Sequence, residues 1–351
     1  MSRERPVGES PPLHACLGEA ARLERHSAAA VTVIEALSGA AVELAQTIAA
    51  GPFADITGKA GGVNPDGDSQ RDIDVLADRL MRQALRSAPV AWVLSEEAEL
   101  PEELDPNAPL CVAIDPLDGS ANLENNISVG TIFSIRPRGR DGISTFFEPG
   151  TVQCAAGFFI YGPQTALVLA IDGRVDVFVL NPARHEFALT KRSIQIPSDT
   201  PEFAINASNR RHWSSAVRAY IDDCLFGENG ERGRNFNMRW IGSLVAEAYR
   251  ILVRGGVFLY PADARPGYRE GRLRLIYEAH PIALIMEWAG GGASNGRGRI
   301  LELSARALHQ RVPLIMGAAP AVRDIDFVHQ GVEPLFESGD APLFTRRGLF
   351  R

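Results

Sequence analysis

Six β-type runs follow one another at close spacing: Val90 to Leu94, Leu110 to Ile114, Thr131 to Ile135, Ala155 to Tyr161, Ala166 to Ile171 and Val175 to Leu180. Glycine or proline punctuates several of the gaps, which commits this part of the chain to a sheet-rich first domain. N-terminal to these runs the apolar spacing is helical. Val31, Ile34, Leu37, Val42, Leu44 and Ile48 predict a helix ending at Gly51, and Ile73, Leu76, Leu80, Met81 and Leu85 predict another. Between them Gly58, Gly61, Gly62, Pro65 and Gly67 are costly to order and predict a mobile loop. That loop carries Asp68 at its end, and Asp74 falls in the first turn of the next helix, where the dipole favours a carboxylate.

A polar stretch from Arg192 to Glu202, with Pro197 and Pro201, precedes a second set of elements. The pattern predicts a strand over 203–206, helices over 213–224 and 241–255, a strand over 257–260, a long apolar helix over 275–289, a strand over 313–316 and a short helix over 323–330. The expected organisation is a flexible arm over 1–26, domains over 27–196 and 197–331, and a tail over 332–351 with no assigned fold. A length of 351 residues fits two domains at about 150 residues each.

Composition narrows the function. With 45% hydrophobic and 23% charged residues, the chain is globular rather than disordered or collagen-like. Acidic residues outnumber basic ones, 43 to 36, which disfavours nucleic acid as a partner. No apolar stretch is expected to reach the roughly 20 residues of a membrane span, and the polar N-terminus does not read as a signal peptide. The four cysteines form no C-x-x-C pair, which suits a reducing cytoplasm.

Chemistry concentrates in the segment Ala113 to Asn122, where an apolar strand runs into Asp115-Pro116-Leu117-Asp118-Gly119-Ser120. Strand ends are where sites gather in α/β proteins. Pro116 restricts the turn so that Asp115 and Asp118 can converge, and Gly119 lets the N–H groups of Ser120 and Ala121 approach an anion. An isolated Asp-x-x-Asp-Gly serves equally as a tight turn. More carboxylates, Glu96, Glu97, Asp68, Asp74 and Glu278, accompany other element ends. Like charges 4 Å apart repel by about 4 kcal/mol at an effective dielectric of 20, so such a cluster calls for cations. All-oxygen ligation without His or Cys favours Mg²⁺ or Mn²⁺ over Zn²⁺.

The run DPLDGSANLENNISVGTIFSI, together with VLSEE and LRLIYEAHPIALIMEWAGG, resembles class I fructose-1,6-bisphosphatase over about 300 residues, from Val31 to Gln330. Inositol monophosphatases share the DPxDGS turn, but they place an Asp after Trp at the start of a late helix, where this chain has Glu278. The resemblance implies a layered αβαβα sugar-phosphatase fold with two mixed sheets. It also implies a homotetramer and Mg²⁺-dependent hydrolysis of the 1-phosphate of fructose 1,6-bisphosphate, with two or more ions per subunit.

Carried over by position, the resemblance implies metal ligation by Asp68, Glu96, Glu97, Asp115, Asp118, Glu278 and the carbonyl of Leu117. Asp74 and Glu97 would help take the proton from the attacking water. The 1-phosphate would rest by Asp118, Gly119, Ser120 and Ala121, with Arg274 nearby. The second phosphate would meet Asn206, Tyr260, Arg272 and an Arg239 reaching over from a neighbouring subunit. The chain departs from the family pattern at Glu124, usually Asp. Trp240 and Asn209 stand where animal enzymes have Tyr, and Arg272 where they have Lys.

The positions that bind inhibitory AMP in animal enzymes fall on Pro109, Leu110 and Pro137, so that route of control is not expected. Two rival readings stay open: a dual enzyme that also accepts sedoheptulose 1,7-bisphosphate, and an inactive sugar-phosphate sensor.

Overall fold

The computed structural model describes residues 10–20, 25–54 and 72–331. Its helices are α1 (Leu13–Ala20), α2 (Arg25–Ala50), α3 (Asp72–Arg86), α4 (Ser215–Phe226), α5 (Leu244–Arg254), α6 (His280–Trp288) and α7 (Ala319–Gly331). The first sheet contains β1 (Val90–Ser95), β2 (Glu102–Glu103), β3 (Leu110–Asp118), β4 (Val129–Pro137), β5 (Ala155–Tyr161), β6 (Thr165–Ile171), β7 (Arg174–Asn181) and β8 (Glu186–Lys191). Beyond it lie β9 (Glu202–Ala204), β10 (Asn237–Met238), β11 (Val257–Tyr260), β12 (Leu273–Arg274), β13 (Gly291–Ser294), β14 (Arg311–Val312) and β15 (Leu314–Ala318).

The eight strands of the first sheet run in the order β2-β1-β3-β4-β5-β6-β7-β8, with β1 and β3 parallel and the other neighbours antiparallel. A second, mixed sheet has the order β10-β9-β11-β15-β13, and β12 pairs with β14 alone. Both faces of the first sheet are buried, so its strands read as continuous apolar runs rather than alternations. Alternate residues of β5 show why. Phe159 and Tyr161 join α1, α2 and α3 in one core, whereas Phe158 and Ile160 join α5 and α6 in another. The second core also takes Phe258 and Met316 from the second sheet, whose outer face packs on α4 and α7 through Phe203, Leu259, Val217 and Ile325. The layers are therefore α, β, α, β, α, as the resemblance implies.

Several expectations change. Within the arm expected to be loose, Leu13, Cys16 and Leu17 are buried on one face of α1, and the N–H of Leu189 donates to the carbonyl of Pro11 at 3.0 Å along the edge of β8. A stretch of eight residues is too short to show a period. Residues 28–50 are, by length and composition, apolar enough to cross a membrane, contrary to the sequence reading. Val33, Ile34, Leu37, Ala41 and Leu44 are nevertheless buried against the first sheet, which makes α2 a core helix. The single helix expected over 275–289 is a π turn at Leu275–Ala279 followed by α6, and the Gly-rich stretch after it becomes β13. The expected loop over 58–67, with Asp68 beyond it, and the tail over 332–351 lie outside the described residues.

Candidate active site

Asp115 and Asp118 are three residues apart, so on a regular strand their side chains would leave opposite faces of the sheet. The β3–β4 ladder corrects this. Asp115 is opposite Ile132 and Asp118 is opposite Gly130, so β3 carries one extra residue between them. This bulge puts both carboxylates on one side. Thr131 Oγ1 donates to the bulged carbonyl of Pro116 at 2.8 Å, and the N–H of Leu117 donates to Asp115 Oδ1 at 3.0 Å.

Glu278 arrives from the second half by a similar device. It sits in the π turn ahead of α6, with its carboxylate accepting from the N–H of Arg274 at 2.5 Å. π turns widen a helix by one residue and recur at functional sites. The start of α6 is anchored to the first sheet, since Arg136 on β4, fully buried, donates to His280 Nδ1 at 2.7 Å and Gln153 donates to the carbonyl of His280 at 3.0 Å.

Ligand oxygens of Asp115, Asp118 and Glu278 lie within 4.8 Å of one another. Glu96, just past the end of β1, is within hydrogen-bonding reach of Asp115, and its carboxylate pairs with Arg274 at 3.0 Å. Burial drives the carboxyls upward, followed by Glu96. Asp118 is pushed to about 7, with partial relief from the N–H of Val245 and from Arg274. Asp115 and Glu278 are raised well above the usual carboxylate range by burial and by their acidic neighbours. Asp118 Oδ2 is buried without a hydrogen-bond partner. A buried, unsatisfied carboxylate oxygen facing two more carboxylates is the donor set that a hard divalent cation fits.

The two halves meet closely here. A Cβ on Gly130 would lie 2.7 Å from the Val245 side chain, so glycine there lets the first turn of α5 reach Asp118. Gly119 adopts φ +73° and opens a short 3-10 helix at Ser120–Asn125, whose first N–H groups belong to Ser120 and Ala121. Asn122 Nδ2 ties that turn to the carbonyl of Gly242 at 2.9 Å.

A cavity of about 270 Å³ runs between Asp118, Gly119 and Arg274 on the acidic side and Tyr260, Tyr268 and Arg272 in its remaining wall. Trp240 stacks on Phe258 in the same wall, with ring centroids 5.8 Å apart. A smaller hollow shares Tyr260 and Arg272 and is lined by Asn206 and Asn209. Larger hollows of about 870 and 560 Å³ occur at the end of α2 and between α2 and α3. Neither contains a group of facing carboxylates among the described residues.

The structure thus gathers Glu96, Asp115, Asp118, Glu278, Gly119 and Arg274, with Tyr260 and Arg272 across the cavity. Asp74 is buried in the first turn of α3, and the N–H of Glu97 donates to Ser95 Oγ at 3.3 Å. Asn206 Oδ1 instead caps a local turn, accepting from the N–H and hydroxyl of Ser208 at 3.2 and 2.6 Å. Arg239 lies outside the cavity wall, half exposed, with Nε 3.6 Å from Glu202. Sequence reasoning missed Tyr268 and Arg311. Tyr268 occupies an aperiodic Pro- and Gly-containing stretch, and Arg311 is placed only by pairing with Arg274 across β12 and β14.

Family models describe the same chain in two parts: fructose-1-6-bisphosphatase N-terminal domain over residues 13–192 and C-terminal domain over 196–330. A class 1 fructose-1,6-bisphosphatase of a Bradyrhizobium strain is 68% identical across 100% of both chains. Another, from a second Bradyrhizobium strain, is 73% identical over 91% of this chain and 90% of its own. Among solved structures, Leishmania major fructose-1,6-bisphosphatase in holo form superposes with a TM-score of 0.85 at 31% identity, covering 92% of this chain and 99% of that one. With both family domains matched in order and such relatives extending along nearly the whole chain, the protein belongs to the class 1 fructose-1,6-bisphosphatase family.

Proposed function

We propose that the enzyme hydrolyses the 1-phosphate of D-fructose 1,6-bisphosphate to D-fructose 6-phosphate and phosphate. The observation that carries this reading is the buried face of Asp115, Asp118 and Glu278, with one orphaned carboxylate oxygen, set across a cavity from Arg272. We assign Mg²⁺, or Mn²⁺, to Asp68, Glu96, Glu97, Asp115, Asp118, Glu278 and the carbonyl of Leu117, with two or more ions per subunit. Bound there, such ions supply charge stabilisation for phosphoryl oxygens and a more acidic water.

The chain's own groups orient the reaction. Asp74 and Glu97 take the proton from the attacking water. The N–H groups of Ser120 and Ala121, beside Gly119, cradle the 1-phosphate, while Arg274, held by Glu96, neutralises part of its charge. Arg272 and Tyr260 receive the second phosphate, with Asn206 and Asn209 lining the adjacent hollow. Arg239 serves the distal phosphate of a neighbouring subunit in a homotetramer; its half-exposed side chain, outside its own cavity wall, supports that assignment. Four cysteines, all free, suit a cytoplasmic enzyme.

The test is phosphate release in Mg²⁺ from fructose 1,6-bisphosphate, sedoheptulose 1,7-bisphosphate and inositol 1-phosphate, with wild type and Asp118→Asn. Turnover of the bisphosphates that the substitution abolishes is the expected result, and the ratio between the two measures sugar selectivity. Faster turnover of inositol 1-phosphate, or turnover that persists in Asp118→Asn, would overturn the reading.

A further inference from the structure

Arg272 is unusual among the cavity's charged groups. Arg274 is paired with Glu96, yet Arg272 makes no ion pair with any described carboxylate. Its contacts are aromatic: the guanidinium carbon lies 4.5 Å from the centroid of the Tyr268 ring and 5.3 Å from that of Tyr260. Ring faces stabilise a guanidinium through the quadrupole without using its N–H donors. The cation is therefore held in place with its hydrogen-bonding capacity unspent, as a receptor for a phosphate requires.

Tyr268 is built to do this. Its N–H donates to Arg265 and its carbonyl accepts from Asp263 and Gly271, each at 3.1 Å, so its backbone is fixed at three points. Gly271, at φ +88°, leaves no room for a Cβ, which would sit 2.2 Å from the carbonyl carbon of Val312. This close approach presses the segment onto the β14–β15 connection and turns the Tyr268 ring into the cavity wall. Arg265 also lies over the Tyr268 ring, at 4.7 Å, but its fork is closed on Asp263. Of the two cations sharing the ring, only Arg272 is left to bind an external anion.

We infer that Tyr268 is a positioning residue that fixes Arg272 for the distal phosphate and so favours substrates with a second phosphate remote from the one hydrolysed. The inference rests on the proposed assignment of Arg272 to that phosphate. Without the Tyr268 ring, the farther Tyr260 ring would be left to brace the long Arg272 side chain, more of which would have to be ordered each time an anion binds, and this weakens binding rather than the chemical step.

The experiment uses the full-length enzyme with Tyr268→Leu, Tyr268→Phe, Arg272→Met and the Leu/Met double variant, each checked by thermal melting. Tyr268→Leu is expected to raise KM for fructose 1,6-bisphosphate about tenfold, with a smaller change in kcat. Calorimetry should show the same loss for fructose 6-phosphate and none for inorganic phosphate. Tyr268→Phe, which keeps the ring, should recover the wild-type KM, and the double variant should bind no worse than Arg272→Met. Additive losses in the double variant, a Phe variant as impaired as Leu, or an unmoved KM would overturn the inference. A wild type without bisphosphatase turnover would instead defeat the underlying functional reading, and the fructose 6-phosphate titrations would still decide whether Tyr268 acts through Arg272.

Discussion

At the scale of single residues, the site is a balance between repulsion and ligation. Asp115, Asp118 and Glu278 share a buried face where burial, then the charge of Glu96, holds their protons on, and Arg274 pairs with Glu96 beside them. Such an arrangement is unfavourable for the metal-free protein and favourable once a cation is bound. Above pH 7, where Asp118 is ionised, Asp118→Asn removes one charge, and an Asn oxygen can still accept from the N–H of Val245. Metal-free stability in EDTA should therefore rise, by about 1 kcal/mol, while Mg²⁺-induced stabilisation shrinks and turnover falls at least about a hundredfold. Thermal melts with and without Mg²⁺, paired with phosphate release, check both halves; an unchanged Mg²⁺ response would remove Asp118 from the ligand set.

At the scale of elements, Glu202 on β9 ties the second sheet to the end of α5 and to the segment beside β10. Arg254 and Arg250 approach it from the end of α5, the latter at 3.2 Å, and Arg239 approaches from beside β10. Glu202 is 4% exposed, and the Arg254 hydrogen bond, then the charges of Arg254, Arg250 and Arg239, hold its carboxyl below the usual range. A carboxylate depressed in the folded state contributes stability above its unfolded pKa of about 4.3 and loses it as pH falls through the folded value. Wild type should therefore lose stability between pH 5 and pH 3, and Glu202→Gln should flatten that part of the profile while lowering stability at neutral pH by about 2 kcal/mol. Urea titrations at stepped pH measure it; parallel profiles for the two proteins would refute it.

At the scale of the whole molecule, α5 and α6 fill the space between the two sheets. One continuous core joins Phe158 and Val168 of the first sheet, Ile251 and Ile285 of the helices, and Phe258 and Met316 of the second sheet. The two halves expected over 27–196 and 197–331 accordingly share packing that neither keeps alone. Urea unfolding followed by tryptophan fluorescence, with Trp92 in the first sheet and Trp213, Trp240 and Trp288 in the second half, should coincide with unfolding followed by circular dichroism. Mg²⁺ at a hundredfold above its Kd should add about 2.7 kcal/mol per bound ion to the whole transition. Two separated midpoints would mean that the halves unfold independently.

What the amino-acid sequence determined by itself was local in character. The strands from Val90 to Leu180, the helices around Leu37 and Leu80, and the Gly-Ser turn after Asp118 follow from apolar spacing and backbone preference within a few residues. The carboxylates were equally visible as residue types. Tertiary structure alone decided which of them meet. The parity of β3 would have separated Asp115 from Asp118 but for a bulge set by pairing with β4, and Glu278 reaches them only because a π turn and the Arg136–His280 contact anchor α6 across the sheets. Arg274 finds Glu96, and Tyr268 finds Arg272 and Tyr260, through contacts that no periodicity encodes. Such placements depend on the closure of the whole core, because a one-residue change in register moves a side chain to the other face of its sheet.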